Sequence, residues 1–253
     1  MVRAEKSQNG GASLRIDEDS CIACGLCVPY CPMGAINMDD IATIDEDECI
    51  DCGVCLRAKV CPVDAFIYEP APWPRSLRAV FSDPTTEHKE TTVTGRGTEE
   101  MKTNDVTGRF KRGWVGIGIE LGRPGVGARF RDVDKVAQAM ARSGARFEPN
   151  SPVTLLMEDV GAGKLRDDVL DEKVLSAIIE CGFPIEKIRI ALTALKEVAQ
   201  DVDTVFSVDC ISVAEPDGSL PVDKILSELE ISRYINGKTN VGLGRPLAEG
   251  ERR

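Results

Sequence analysis

Hydrophobic residues alternate with small or polar ones in the stretch that follows Gly113, and this alternation predicts a β-strand. Val115, Ile117, Ile119 and Leu121 occupy every second position, and the positions between them hold two glycines and a glutamate. The strand is therefore expected to have one apolar face and one bare face that carries glycine. The same kind of pattern predicts further strands at 145–147, 153–158, 188–195 and 204–213, the first two as a hairpin-like pair.

Helical spacing of apolar residues predicts two amphipathic helices and a short third one in the same half of the chain. The first is expected to begin at an N-cap, Asp132, and to run to Ser143. The second is expected to begin at Asp171 and to end at Gly182, and the third to span 222–230. This order of elements predicts an α+β domain over residues 113–232, arranged as a two-layer sandwich with a split β-α-β core.

The segment before this domain, residues 70–112, has a different composition, and we call it the strap. Four prolines stand at its beginning, and glycine, threonine and asparagine dominate the remainder, which argues against long helices or strands. The strap also contains Trp73, Phe81 and Phe110, so we expect an ordered, extended linker or docking segment rather than a flexible tether. Residues 1–15 are interpreted as an N-terminal extension and residues 233–253 as a C-terminal tail.

Eight of the ten cysteines lie in two short runs ahead of the strap. The runs are Cys21-x2-Cys24-x2-Cys27-x3-Cys31-Pro32 and Cys49-x2-Cys52-x2-Cys55-x5-Cys61-Pro62. Three equally spaced cysteines followed by a Cys-Pro step are typical of iron–sulfur clusters, which need thiolates from a tight turn and a fourth from elsewhere. Zinc sites usually pair two C-x2-4-C motifs, and a disulfide framework needs an oxidising compartment, so both alternatives fit less well.

The two runs are also an internal repeat. Residues 16–27 and 44–55 are identical at nine of twelve positions. The stretch 16–69 resembles the bacterial two-cluster ferredoxin family, and this resemblance implies an N-terminal domain with two [4Fe-4S] clusters in which each fourth cysteine serves the other cluster. It assigns Cys21, Cys24, Cys27 and Cys61 to one cluster, and Cys49, Cys52, Cys55 and Cys31 to the other.

The second run departs from the common spacing because five residues separate Cys55 from Cys61. A short insertion in a surface loop costs little entropy, so Cys61 is retained as a ligand. The insertion carries Arg57 and Lys59, the only basic residues between Ile16 and Glu69. We therefore predict that a partner docks beside this basic loop.

Charge is distributed unevenly along the chain. Residues 16–69 hold twelve acidic and two basic residues, a balance of −10, while the whole chain carries −11. Such a surface disfavours nucleic acid as a partner and would attract a basic patch on a redox protein, although acidic residues also simply keep a domain in solution. Residues 1–14 lack an apolar leader, and no apolar run is long enough to span a membrane, so a cytoplasmic protein is expected. Two iron–sulfur clusters near solvent would imply a reducing, anaerobic setting.

No catalytic constellation is evident in the remainder of the chain. The only histidine, His88, lies in a polar part of the strap and is interpreted as solvated. The Gly161–Lys164 segment lacks the pattern of a phosphate-binding loop and is interpreted as a turn. Cys181 and Cys210 are interpreted as buried core residues.

A second resemblance is carried by residues 94–110 and 120–127 and extends over the remainder of the chain after the ferredoxin-like stretch. The runs TGRGTEEMKTNDVTGRF and ELGRPGVG are similar to the region that follows the ferredoxin domain in the 6-hydroxynicotinate reductase family. The members of that family are anaerobic iron–sulfur flavoenzymes. This resemblance implies a flavin, either on a partner subunit or on this chain. Since proteins of that family continue into a flavin-associated region, the likeness predicts a detached subunit that feeds electrons to such a partner.

Three functions are compatible with these observations. The favoured one is an electron-transfer subunit of a hetero-oligomeric complex, which passes single electrons through the clusters to or from a flavin- or metal-containing oxidoreductase. The second is a reductase with its own flavin or substrate site in residues 94–250. The third is a free ferredoxin that carries an additional regulatory domain.

Overall fold

A computed structural model of the chain describes residues 14–86, 96–98, 104–123 and 125–233. His88, the tail from residue 234 and nearly all of the predicted N-terminal extension lie outside these ranges. Within them, no helix is long and apolar enough to cross a membrane.

The cysteine-rich unit is built from short strands that bring its two ends together. Its elements are β1 (Leu14–Ile16), β2 (Ile36–Met38), β3 (Ala42–Ile44), α1 (Val54–Arg57) and β4 (Phe66–Tyr68), with a 3-10 turn at Val28–Tyr30. β1 pairs with β4 and β2 pairs with β3, both antiparallel. The first strand begins at Leu14, two residues before the predicted start of the unit, and Leu14 is buried beneath the cysteine loops.

The sequence predicted an extended strap, but one part of it, Ser76–Ser82, forms a helix, α2. The early prolines end at Pro74 and the next stands at Pro84, which leaves room for two helical turns. Leu77 and Phe81 lie four residues apart on this helix and are both buried in the hydrophobic core of the C-terminal domain. The strap is therefore part of that core.

The C-terminal domain is organised around a four-stranded antiparallel sheet. Its main elements are β5 (Trp114–Leu121), α4 (Phe130–Arg142), β7 (Arg146–Phe147), β11 (Ala177–Pro184), α6 (Ile188–Val198) and β12 (Phe206–Ser212). The strand order β12-β5-β11-β7 places β11 between β5 and β7, so that the two β-α-β units interleave. The interleaved strands have the split connection that the sequence predicted, but the predicted order of elements is wrong over residues 171–195, where the strand β11 precedes the helix α6.

Shorter elements complete the domain. They are α3 (Asn104–Thr107), β6 (Ala128–Arg129), α5 (Pro152–Leu155), β8 (Met157–Asp159), β9 (Lys164–Leu165), β10 (Lys173–Val174), α7 (Asp223–Glu228) and 3-10 turns at Asp167–Val169 and Ile185–Lys187. β6 pairs with β10, and β8 pairs with β9.

Two of the predicted elements have the wrong type. The helix expected from Asp171 is absent, since β10 and β11 occupy its place, and β11 is buried on both faces so that no alternation shows in its sequence. The strand expected at 188–195 is the helix α6. Its buried residues recur at three- and four-residue spacing, which marks one face of a helix.

Other boundaries differ less. α4 begins at Phe130, so Asp132 lies in its first turn rather than at the N-cap. The predicted strand at 153–158 is divided between α5 and β8, because Pro152 starts a helical turn. The strands predicted at 115–121 and 204–213 and the helix at 222–230 are confirmed.

We expect Phe81→Ala to destabilise the protein by about 3–5 kcal/mol, because it empties a buried site in the C-terminal core. The Phe81 ring packs edge-to-face on Phe130, with the ring centroids 5.1 Å apart. The measurement is urea unfolding under anaerobic conditions. Ile190→Ala is the control, since Ile190 is 59% exposed and its truncation should change stability by less than about 0.5 kcal/mol. Equal effects of the two substitutions would contradict the placement of the strap in the core.

Candidate metal centre

The two cysteine runs fold into matching loops. Ala23 and Asp51, which are equivalent in the repeat, both have positive φ, of 54° and 51°. The glycines that follow the second cysteines, Gly25 and Gly53, also have positive φ, of 68° and 64°. These left-handed turns are rare for residues with a Cβ and recur at the same positions, so the repeat in sequence is a repeat in backbone conformation.

The fourth cysteine of each run is held in the same way. The amide of Ala35 donates a hydrogen bond to Cys31 Sγ over 3.2 Å, and the amide of Ala65 donates one to Cys61 Sγ over the same distance. Hydrogen bonds to the sulfurs are one of the factors that set the reduction potential of an iron–sulfur cluster. Both sulfurs are thus oriented by backbone that follows the Cys-Pro step.

The cysteines line two separate cavities. The first cysteine cavity is lined by Cys21, Cys24, Cys27 and Cys61, and the second by Cys31, Cys49, Cys52 and Cys55. The fourth cysteine therefore lies at the cavity of the other run, which is the grouping that the family resemblance implies. Ligation by these eight residues stays a prediction.

The donor set and the lining fit an iron–sulfur cluster. Four sulfurs surround each cavity, and apolar side chains such as Ile16 and Phe66 in the first and Ile36 and Ile44 in the second complete the walls. Thiolates are the ligands that such clusters take, and a dry shell is one control on their reduction potential. Within the described ranges, no three His, Cys, Asp or Glu side chains converge on a point as they would around a single ion.

The two cavities differ in their access to solvent. In the first, Cys24 is exposed and Cys21 and Cys61 are half-buried. In the second, Cys49, Cys52 and Cys55 are all buried, between 7% and 8% exposed. Burial raises the pKa of Cys49 to about 12 and that of Cys55 to about 11, so these thiols must lose protons when they bind metal.

One arginine of α2 ties the second run to the C-terminal domain. Arg78 Nη1 lies 2.9 Å from the carbonyl oxygen of Glu46, 3.1 Å from that of Asp47 and 2.7 Å from that of Cys49. Its Nε donates to Glu172 Oε2 over 2.5 Å. Because the Arg78 side chain is only 6% exposed, the loop that carries Cys49 is packed on the C-terminal domain around a buried charge.

A second buried ion pair lies inside the Cys49-x2-Cys52 turn. Asp51 Oδ2 is 3.2 Å from Arg75 Nε, and the two side chains are 0% and 11% exposed. Asp51 Oδ2 and two Arg75 nitrogens make no well-aligned hydrogen bond among the described residues. The pair is therefore held by the attraction between opposite charges. The first run has Ala23 at the equivalent position and therefore has no such pair.

Surface charges of the second run are also neutralised by the C-terminal domain. Arg129 Nη2 lies 2.8 Å from Asp47 Oδ2, and this contact lowers the pKa of that carboxyl. Lys173 pairs with Glu48. In contrast, the acidic residues that precede the first run, 17–19, form no ion pair in the part of the chain that the structure describes.

The lengthened loop contacts the rest of the chain through Arg57, whose side chain is 40% exposed. Its Nη2 donates to the carbonyl of Cys52 over 2.7 Å and its Nη1 to Asp83 Oδ2 over 2.7 Å. Its charge therefore joins the second run to the end of α2, and the docking of a partner beside this loop stays a prediction. Lys59 remains exposed.

The other sequence candidates lie apart from the cysteines. Gly161 to Lys164 is the turn between β8 and β9, where Lys164 pairs with Glu158. Cys181 is 1% exposed in the core, and burial raises its pKa. Burial raises the pKa of Cys210 to about 11, so neither thiol is activated.

Sequence reasoning missed two buried arginines, one at the N-cap of α2 and one within that helix. Arg75 and Arg78 stand three residues apart in a segment interpreted as extended, where no helical face was expected. The one available signal was the repeat itself, since an aspartate replaces Ala23 at the equivalent position, Asp51, and a buried aspartate needs a cation.

We expect Arg75→Ala to destabilise the protein by about 3–5 kcal/mol, because it leaves the Asp51 carboxylate buried without a counter-charge. The double variant that adds Asp51→Ala should recover much of that loss, and Ala23 shows that alanine is tolerated at this backbone conformation. Urea unfolding of the wild type, both single variants and the double variant gives the coupling free energy. A double variant less stable than Arg75→Ala would refute the pairing.

Comparison with known proteins supports the N-terminal part of this picture. Residues 12–68 match the family described as the 4Fe-4S dicluster domain. No curated protein matches the chain, and the likeness of residues 94–127 to the reductase family finds no support. The matched segment is of the ferredoxin type, and it suggests an iron–sulfur electron-transfer role.

Proposed function

We propose that the chain is an electron-transfer subunit that carries two [4Fe-4S] clusters, with one held by Cys21, Cys24, Cys27 and Cys61 and the other by Cys31, Cys49, Cys52 and Cys55. The grouping of these residues around two cavities supports the assignment. Each cluster would accept and release one electron. The thiolate ligands require a reducing compartment, which favours the cytoplasm of an anaerobically growing cell.

The unequal cover of the two cavities is the observation that carries this proposal. Cys24 is exposed at the first cavity, where Ile22 and Val63 are also 59% and 39% exposed. The second cavity is enclosed by the loops tied to α2 through Arg75 and Arg78. Electrons are therefore expected to be exchanged with a partner at the first cavity and relayed to the second.

The charge around the first cavity indicates the kind of partner. Residues 17–19 remain unpaired with basic groups among the described residues, whereas the acidic groups at 47 and 48 are neutralised within the chain. A redox protein with a basic surface around a flavin or metal centre would be steered to this acidic face. We propose such an oxidoreductase subunit as the partner in a hetero-oligomeric complex.

The alternative, a reductase with its own flavin or substrate site, loses one of its supports. A bare glycine face on β5 could admit a cofactor only if it were open, and the Phe110 ring covers it at Gly116. A Cβ at Gly116 would lie 2.5 Å from Phe110 Cε2, and one at the paired Gly182 would lie 2.8 Å from Phe110 Cε1. This face is therefore packed by the chain itself.

We expect Cys61→Ser to lower the iron content from about eight atoms per chain by between one and four, since one cluster loses a ligand. Iron analysis and electron paramagnetic resonance of the reduced protein provide the measurement. Cys210→Ser is the matched control and should leave the iron content unchanged. An unchanged iron content in Cys61→Ser would remove Cys61 from the ligands.

The acidic face should give electron transfer a characteristic salt dependence. Oxidation of the reduced protein by the cation hexaammineruthenium(III) should slow as salt is added, while oxidation by the anion hexacyanoferrate(III) should accelerate, because screening weakens attraction and repulsion alike. Stopped-flow absorbance measures both rates.

Charge reversal identifies the surface responsible. Glu18→Lys combined with Asp19→Lys should reduce the salt dependence with both reagents. Glu186→Lys, an exposed substitution on the C-terminal domain, should change it less. If the control variant has the larger effect, the first cavity is not the site of exchange.

A further inference from the structure

A third cavity lies in the C-terminal domain, where the short edge strand β7 pairs with β11. We call it the edge cavity. Its volume is about 280 Å³, which is close to the lower end of the range for small-molecule sites, roughly 300–1,000 Å³. Three cations and three aromatic rings contribute to its lining, namely Arg109, Lys111, Arg146, Phe110, Trp114 and Phe147.

The aromatic wall of the edge cavity is fixed before any ligand binds. Phe110 is 7% exposed and lies over the glycine pair Gly116 and Gly182 of the sheet. Its backbone is clamped by Asn104, whose Oδ1 accepts from the Phe110 amide over 2.7 Å and whose Nδ2 donates to the Phe110 carbonyl over 3.1 Å. The glycines thus allow the ring to lie against the sheet, and Asn104 sets its orientation.

The edge cavity carries an excess of positive charge. Arg109 pairs with Glu148, whose side chain is 2% exposed, so these two charges cancel. Arg146 stacks over Trp114, with Cζ 4.4 Å from the ring centroid. Neither Arg146 nor Lys111 forms an ion pair within the described ranges, which leaves two uncompensated cations in a chain whose net charge is −11.

We propose that the edge cavity binds a small organic anion with a flat aromatic body. The oxyanion, a carboxylate or a phosphate, is bound by Arg146 and Lys111, since guanidinium and ammonium groups are the side chains that bind both. The flat body lies among the rings of Phe110, Trp114 and Phe147, where aromatic surfaces pack with favourable geometry. A purely inorganic anion would use the cations of the edge cavity but not its aromatic surface.

The edge cavity is distant from the cysteines. Trp114 stands at the start of β5, whereas the cysteine-rich unit approaches Gly127, beyond the other end of that strand, through Met33. Seven residue steps of about 3.3 Å place the two ends of β5 roughly 23 Å apart. Ligand binding here is therefore independent of the proposed cluster ligation, and each can be tested without the other.

Calorimetric titration of the full-length, iron-loaded protein tests the proposal. The probes are benzoate and phenyl phosphate, with benzamide as the neutral analogue and inorganic phosphate as the anion without a ring. At least one of the two aromatic anions should bind saturably with a Kd on the order of 1 mM or tighter. Benzamide and inorganic phosphate should each bind at least tenfold more weakly. Preference for benzoate or for phenyl phosphate distinguishes a carboxylate from a phosphate ligand.

Variants locate the site. Arg146→Gln and Lys111→Gln change exposed side chains and should each weaken binding of the preferred anion at least tenfold, with unchanged iron content and circular dichroism. Arg142→Gln, an exposed arginine outside the cavity lining, should leave the affinity unchanged.

Three results would overturn the proposal. The first is the absence of saturable binding of both aromatic anions up to about 10 mM. The second is an equal affinity for an aromatic anion and for its control probe, benzamide or inorganic phosphate. The third is an equal loss of affinity in Arg142→Gln and Arg146→Gln. Failure of the cluster assignments would leave all three measurements unaffected, because the edge cavity contains none of the eight predicted ligands.

Discussion

The buried guanidinium of Arg78 is the interaction on which the arrangement of the two halves depends. It reaches three carbonyl oxygens of the second cysteine run and the carboxylate of Glu172 at once. A charge removed from water is stable only when its donors are matched, so this contact imposes one relative position on the loop and the domain. The helix that carries Arg78 also buries Leu77 and Phe81 in the C-terminal core. The same two turns of helix therefore serve both the hydrophobic core and the cysteine loop.

This contact turns a near-symmetric repeat into an asymmetric pair of sites. The two runs share their left-handed turns and their amide-to-sulfur hydrogen bonds. They differ in what covers them, since the second is packed under α2 and paired with cations, and the first retains an exposed cysteine and unpaired acidic neighbours. Burial and nearby charge are among the factors that set reduction potentials, so two sites of one ligand pattern are expected to differ in potential.

The C-terminal domain shows how much local pattern can determine and where it fails. β5 was predictable because apolar residues alternate with glycine or glutamate along its sequence. β12 was predictable because of its length and its β-branched residues. β11 was mistaken for a helix, since Glu180 and Gly182 are buried as deeply as the apolar residues around them. Glu180 accepts hydrogen bonds from the amide and hydroxyl of Thr98, and the Phe110 ring covers Gly182, so distant parts of the strap create that burial. In α6 the helical spacing was present in the sequence, but its β-branched start resembled a strand.

The sequence by itself determined the cysteine spacing, the repeat, the acidity of the N-terminal unit and the positions of β5, α4 and β12. These are local properties, because ligand spacing and hydrophobic period are written within one segment. Only the tertiary structure decided which cysteine cavity is covered, that Asp51 pairs with Arg75, that Arg57 pairs with Asp83 and that three cations of the strap and β7 meet beside aromatic rings. Each of these contacts joins residues from different segments of the chain. Which group pairs with a buried charge, or covers a bare glycine, is decided only when the distant segment is in place.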